Sequence, residues 1–221
     1  DQAEEAVTVL GAALQLAPDS YEAIVNCGNA LLRLERQEEA VNMYRRALAL
    51  RPDSADVHNN LGRALVVVGE PAEARRCFDR ALQLAPDHPE ALFNIGDQLF
   101  FSGQSPEAET YYSRAVASRP RYADGYLALG RARFDAGQFA SALSCFDKMA
   151  EVAPQSAAAQ NWRGIVLRHV HRTAEAVQAF EQAARLAKAP ADGYAEIGVS
   201  YWQIGEARKA ECCRRSCPTS T

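Results

Sequence analysis

Glycine recurs at positions 28, 62, 96, 130, 164 and 198, a constant interval of 34 residues across nearly the whole chain. Alanine keeps the same interval twelve residues later, at 40, 74, 108, 142, 176 and 210, and proline keeps it at 18, 52, 86, 120 and 154. Three residue types in one register specify a repeat architecture, in which each unit buries its apolar face only by stacking on its neighbours. The unbroken register leaves no boundary at which to divide the 221 residues, so one elongated array over 1–221 is expected.

Within one period, residues 21–54, apolar side chains at Ile24, Cys27, Leu31 and Leu32 follow helical spacing. After the polar stretch Glu35 to Glu38 the spacing resumes through Ala40, Val41, Tyr44, Ala47 and Leu48. Each period therefore predicts two helices joined by a short turn. A glycine inside a helix costs about 0.5–1 kcal/mol, so its return in every unit implies close backbone approach where the helices cross, with Ala40 opposite Gly28. Tyr44, Phe78, Tyr112, Phe146 and Phe180 are expected to fill the space between successive hairpins. Gly69, Gly103, Gly137 and Gly205 suit the turns, and Pro71 suits the first position of a helix. Asp53 is placed to cap the helix that follows it, and Asp19 with Glu22 and Asp87 with Glu90 form capping-box-like pairs.

The order Leu61-Gly62, Leu65, Ala74, Phe78, Ala81, Pro86 resembles the tetratricopeptide repeat, and the likeness covers essentially the whole chain. The resemblance implies an all-α solenoid of stacked antiparallel helix pairs, wound as a right-handed superhelix. Its first helices would line a concave groove and its second helices the convex back. It also implies a non-catalytic, cytoplasmic scaffold for protein or peptide partners. On this reading residues 1–20 are a half repeat, 21–54, 55–88, 89–122, 123–156 and 157–190 are full repeats, and 191–221 is the last unit. That last unit departs from the pattern: Arg214 holds the aromatic position and Cys217 an alanine position, followed by Pro218, which fits either a natural cap or a truncation. In the fifth unit Lys188 replaces the closing proline and Pro190 comes two residues later. The half repeat at the start suggests a piece of something longer.

Composition narrows the function further. Net charge is −4, with acidic and basic residues interspersed, so the basic face of a nucleic-acid binder is missing. The longest apolar runs, such as Ala64 to Val68, fall far short of the roughly 20 residues that cross a bilayer, and no membrane association is expected. Cys27, Cys77 and Cys145 sit inside helical patterns and read as small buried thiols rather than disulfides. Gly125 with Gly130, and Gly193 with Gly198, lack the third glycine of a dinucleotide loop. His169 and His171 point in different directions on one helix, and Cys212, Cys213 and Cys217 lack a fourth ligand, so neither a metal nor a cofactor is expected.

In tetratricopeptide-like geometry the groove is lined by the second, fifth, sixth, ninth, twelfth and thirteenth residues of each first helix. The candidate peptide-binding residues are therefore Asn26, Asn29, Asn59, Asn60, Arg63, Asn94, Asp97, Arg131, Asn161 and Trp162. Asparagine both donates and accepts, so a row of them can pair with a peptide backbone without demanding its sequence. The alternative reading has Asn26, Asn60 and Asn94 bridging adjacent first helices and binding nothing. The row resembles the asparagine ladder in the repeat arm of nucleocytoplasmic O-linked N-acetylglucosamine transferases, over the first three full units only, because later units hold Ala128, Trp162 and Glu196. In the later units Phe93, Phe100, Phe101, Phe134, Trp162 and Trp202 lie at or beside groove positions, as interface anchors or as packing between helices. The clamp that grips chaperone carboxylates is not matched, since its lysine position holds Val25. Three functions remain open: a scaffold binding an extended peptide or partner helix, the substrate-recruiting arm of a larger glycosyltransferase-like enzyme, and self-association through the end repeats.

Overall fold

The computed structural model describes residues 2–186 and 209–210, and the described residues form helices and turns with no strand. In chain order the helices are α1 Gln2–Leu16, α2 Tyr21–Arg33, α3 Gln37–Leu50, α4 Ala55–Val68, α5 Pro71–Leu84, α6 Pro89–Phe101, α7 Ser105–Ser118, α8 Ala123–Asp135, α9 Phe139–Val152, α10 Ala157–His169 and α11 Thr173–Leu186. The first helix of every full repeat thus starts on the first residue of its repeat, at 21, 55, 89, 123 and 157. The chain divides into two compact units, Asp1–Gly103 and Gln104–Thr221. In the first, α2 packs on α3, α4 on α5, and each pair packs on its neighbour; in the second, α8 packs on α9 and α10 on α11 in the same manner. Each unit is an all-α solenoid of antiparallel helix pairs.

The repeated glycine has a specific task. A methyl carbon on Gly28, Gly62, Gly130 or Gly164 would lie 2.8, 2.5, 2.6 or 2.6 Å from a ring carbon of Tyr44, Phe78, Phe146 or Phe180, sixteen residues on in the same hairpin. Any side chain there would collide with the ring, which explains why a helix-weakening residue stands mid-helix. The aromatic therefore packs against the glycine of its own hairpin, and Phe146 also fills the space to the next one, stacking on Trp162 and clustering with Ala159 and Val166 of α10. Tyr44, Phe78, Phe146 and Phe180 are at most 1% exposed, and Ala40, Ala74, Ala142 and Ala176 are completely buried.

The turns follow the expected chemistry at three hairpins. Gly69, Gly103 and Gly137 take φ of 91°, 82° and 73°, where a side chain is unfavourable. At the same register position Glu35 (φ 57°) and His171 (φ 60°) adopt the left-handed conformation without glycine's freedom. The capping residues lie one position later than expected. The caps are Ser20, Ser54 and His88; Ser54 Oγ accepts from the Val57 N–H at 3.4 Å, and His88 Nδ1 accepts from the Ala91 N–H at 3.2 Å. Asp53 sits outside the cap, too early to reach those amides, and pairs instead with Arg80 at 3.2 Å. Asp19 stands in the equivalent place beside Arg46.

Cys27, Cys77 and Cys145 are free and buried. Burial raises all three thiols, Cys77 to about 11, so they stay protonated and unreactive at neutral pH. No described helix is long and apolar enough to cross a membrane. Gly193, Gly198, Trp202, Gly205, Glu196, Lys188, Pro190, Cys212, Cys213, Arg214, Cys217 and Pro218 lie outside the described residues.

Candidate functional site

In the first unit, α2, α4 and α6 are successive first helices, and their groove rows are tied together by side-chain amides. Tyr44, whose ring rests on Gly28, donates its hydroxyl to Asn29 Oδ1 at 2.7 Å. Asn60 Nδ2 of α4 donates to the same oxygen at 3.2 Å, bridging α4 to α2. Asn59 Nδ2 donates to Asn60 Oδ1 at 3.5 Å, and Asn94 Nδ2 of α6 donates to Asn59 Oδ1 at 2.8 Å. One chain of hydrogen bonds therefore runs from α6 through α4 to α2 and ends on a tyrosine in α3. Burial raises the Tyr44 phenol, with Arg63 acting weakly the other way, so the hydroxyl remains a donor.

Asn59 departs from its expected groove exposure, being only 3% exposed. Its side chain points between α4 and α6 toward Asn94, where a pair of carboxamides satisfies each other away from water. Asn29, Asn60, Asn94 and Asp97 are half-buried, while Asn26 and Arg63 are exposed. The register rows at the ends of the helices also matter. Glu22 pairs with Arg51 at 3.1 Å and Asp56 accepts a hydrogen bond from His88 at 3.0 Å, so these two acids at the helix starts have partners within the protein. At the helix ends Val66, Val67 and Phe101 are 44%, 65% and 79% exposed, and Arg33 at the end of α2 is exposed as well. Arg33, Val66 and Val67 are absent from the sequence-derived set although the twelfth and thirteenth rows contain them; the register was sufficient to find them.

The second unit fills the same rows differently. Trp162 of α10 stacks on Phe146 of α9, centroids 5.4 Å apart and planes at 14°, and meets Phe134 of α8 edge-on at 6.0 Å. Arg131 lies over the Trp162 ring at 5.7 Å. Phe134 also packs edge-on against His169 at 4.8 Å, and His169 stacks on Phe139 at 5.4 Å. Trp162 is thus half-buried against the cluster of Ala142, Phe146, Met149, Ala159 and Val166, with only part of its ring available to a partner. Asn161 stands beside it, its Oδ1 buried and without a hydrogen-bond partner among the described residues. Among those residues no group of three or more His, Cys, Asp or Glu side chains is placed to hold a metal ion.

Models of the tetratricopeptide repeat match residues 59–123, 95–137 and 127–193, and a further TPR-repeat model matches 28–69, together well over half of the chain. The chain belongs to the tetratricopeptide-repeat family. Among solved structures, this tetratricopeptide-repeat chain is similar to PilF of Pseudomonas aeruginosa, with TM-score 0.78 and 20% identity over 100% of this chain and 96% of that one. YrrB, described as a TPR protein with an unusual peptide-binding site, aligns at TM-score 0.61 and 22% identity over 80% and 91% of the two chains. MamA of Desulfovibrio magneticus RS-1 aligns at 0.67 and 19% over 74% and 92%. At these identities the likeness shows the fold alone. No curated protein sequence matches the chain.

Proposed function

We propose that this protein is a non-catalytic interaction scaffold whose first-helix faces hold an extended peptide or partner helix. The observation that carries the reading is the asparagine chain on α2, α4 and α6. It holds carboxamides in fixed orientation on a half-buried surface, and preorganised amides can meet a peptide main chain at little further entropic cost. Asn26, Asn29, Asn60 and Asn94 serve the backbone, Arg63 and Arg131 meet acidic groups, and the accessible part of Trp162 anchors an apolar side chain. The asparagine row also suits a second role, as the substrate-recruiting arm of a larger glycosyltransferase-like enzyme.

The test is selection from a displayed library of random linear peptides. The intact chain should enrich binders that lose affinity on Asn26→Ala with Arg63→Ala, two exposed residues whose removal leaves helicity unchanged. Failure to enrich any peptide, or equal binding by the double variant, would sink the groove reading.

A further inference from the structure

The hydrogen-bond chain of the first unit has a polarity that the repeat register does not dictate. Within it Asn29 Oδ1 accepts twice, Asn60 and Asn59 Oδ1 accept once each, and Asn94 enters only as a donor. A carboxamide offers two N–H donors and an oxygen that can accept twice, so the chain leaves groups of both kinds over: both donors of Asn29 and the second donor of Asn60 and of Asn94, beside the Asn94 oxygen. The charges on this face are mixed. Glu22 is held by Arg51 at 3.1 Å, Asp56 accepts from His88 at 3.0 Å, and Asp97 of α6 stands half-buried in the row that Arg63 occupies on α4. Arg33 and Arg63 are exposed with no ion-pair or hydrogen-bond partner among the described residues.

The ends of the same helices carry unburied apolar surface. Val66 and Val67 end α4, Phe101 ends α6, and Phe100 braces Phe101 edge-on at 5.8 Å. A phenylalanine 79% exposed forgoes the burial that its apolar surface favours, and exposed apolar groups rimmed by polar ones mark interaction surfaces. We infer that the face of α2, α4 and α6 selects an extended peptide carrying carboxylates next to bulky apolar side chains. This inference rests on the peptide-binding reading above and adds the chemistry of the partner. Carboxylates meet Arg33 and Arg63, main-chain carbonyls meet the spare asparagine donors, and an aliphatic or aromatic side chain lies on Val67 and Phe101.

Fluorescein-labelled synthetic decapeptides test it against the full chain by anisotropy. One alternates Asp with Leu; the others replace Asp by Asn, Asp by Lys, or Leu by Ser. The Asp/Leu peptide should bind about tenfold tighter than each of the others, the worth of a charge-assisted hydrogen bond or a buried aliphatic side chain. The R33E/R63E variant, altered only at exposed positions, should reverse the order of the Asp/Leu and Lys/Leu peptides, and Phe101→Ser should erase the difference between Leu and Ser. Equal binding of all four peptides, or an order unmoved by R33E/R63E, would overturn the selectivity and leave peptide binding standing. No binding by any of them, on a chain whose helicity is intact, would overturn both. A face occupied by a second copy would appear as a dimer in light scattering that Phe101→Ser returns to monomer, and that also overturns the inference.

Discussion

Asn29, Asn60 and Tyr44 in the first unit hold the same register positions as Arg131, Trp162 and Phe146 in the second, counting the sixth-row residue from the following helix. In the first unit the three meet through hydrogen bonds: the tyrosine hydroxyl and the Asn60 amide converge on Asn29 Oδ1 at 2.7 and 3.2 Å. In the second they meet through rings and charge: Trp162 stacks on Phe146 at 5.4 Å while Arg131 covers its other surroundings at 5.7 Å. The backbone geometry of the repeat sets the three-way contact and leaves its chemistry free. A polar solution produces a face that is pinned yet still able to exchange hydrogen bonds. The aromatic solution puts its ring area into stability and offers less of it to a partner.

The comparison breaks most visibly at Phe146. It is completely buried and carries the Trp162 stack, so Phe146→Ala should cost about 3–5 kcal/mol, read as a lowered urea midpoint. A cost below about 1 kcal/mol would mean that the second unit does not rest on its aromatic core. In the first unit the corresponding weak point is polar. Asn59→Leu installs the residue type that α8 carries at the same row, Leu127, and strands the Asn94 amide and the Asn60 oxygen. The expected loss is about 1–3 kcal/mol, the desolvation cost of groups left unpaired. If Asn59→Leu instead stabilised the chain, the ladder would be a surface feature with no structural share.

Tyr44→Phe removes one hydroxyl and nothing else from the ring that covers Gly28, and should cost about 0.5–1.5 kcal/mol. The informative variant adds Asn29→Arg and Asn60→Trp, rebuilding the second unit's trio inside the first. Because the three side chains touch, their effects should couple, and the triple variant should be more stable than the summed single losses by about 0.5–3 kcal/mol. Additive losses would show that register alone does not define the contact.

These contacts also show where sequence reading succeeds and where it stops. The 34-residue glycine period places the pairs α2–α3, α4–α5, α8–α9 and α10–α11 because a ring opposite Gly28, Gly62, Gly130 and Gly164 tolerates no Cβ, a steric demand written in one residue type. The same period assigns Asn59 to the groove side of α4 but does not give its depth, which depends on how closely α6 approaches. Cap positions were misplaced by one residue because Asp53 and Ser54 are both good caps, and only the backbone decides which of them faces the Val57 amide. Val66, Val67 and Arg33 were within reach of the register, yet short valine runs read as core, and exposure of a helix end is a tertiary property.

The smallest expected effect bears on the turns, where both units share one departure. Glu35 in the first and His171 in the second occupy the left-handed position that glycine holds at 69, 103 and 137. A non-glycine residue there pays a steric cost of about 1–2 kcal/mol, partly returned because glycine gains more freedom in the unfolded chain. Glu35→Gly and His171→Gly should each therefore stabilise by about 0.5–1 kcal/mol, as a raised urea midpoint with unchanged slope. The two gains should be nearly equal if the strain is a property of the turn alone. His171 has an added variable, because it follows the ring cluster in which His169 packs on Phe134 and Phe139. A gain at Glu35 with none at His171 would show that the aromatic network sets the preferred conformation of its own turn, and would carry the contrast between the polar and aromatic units from side chains into the backbone.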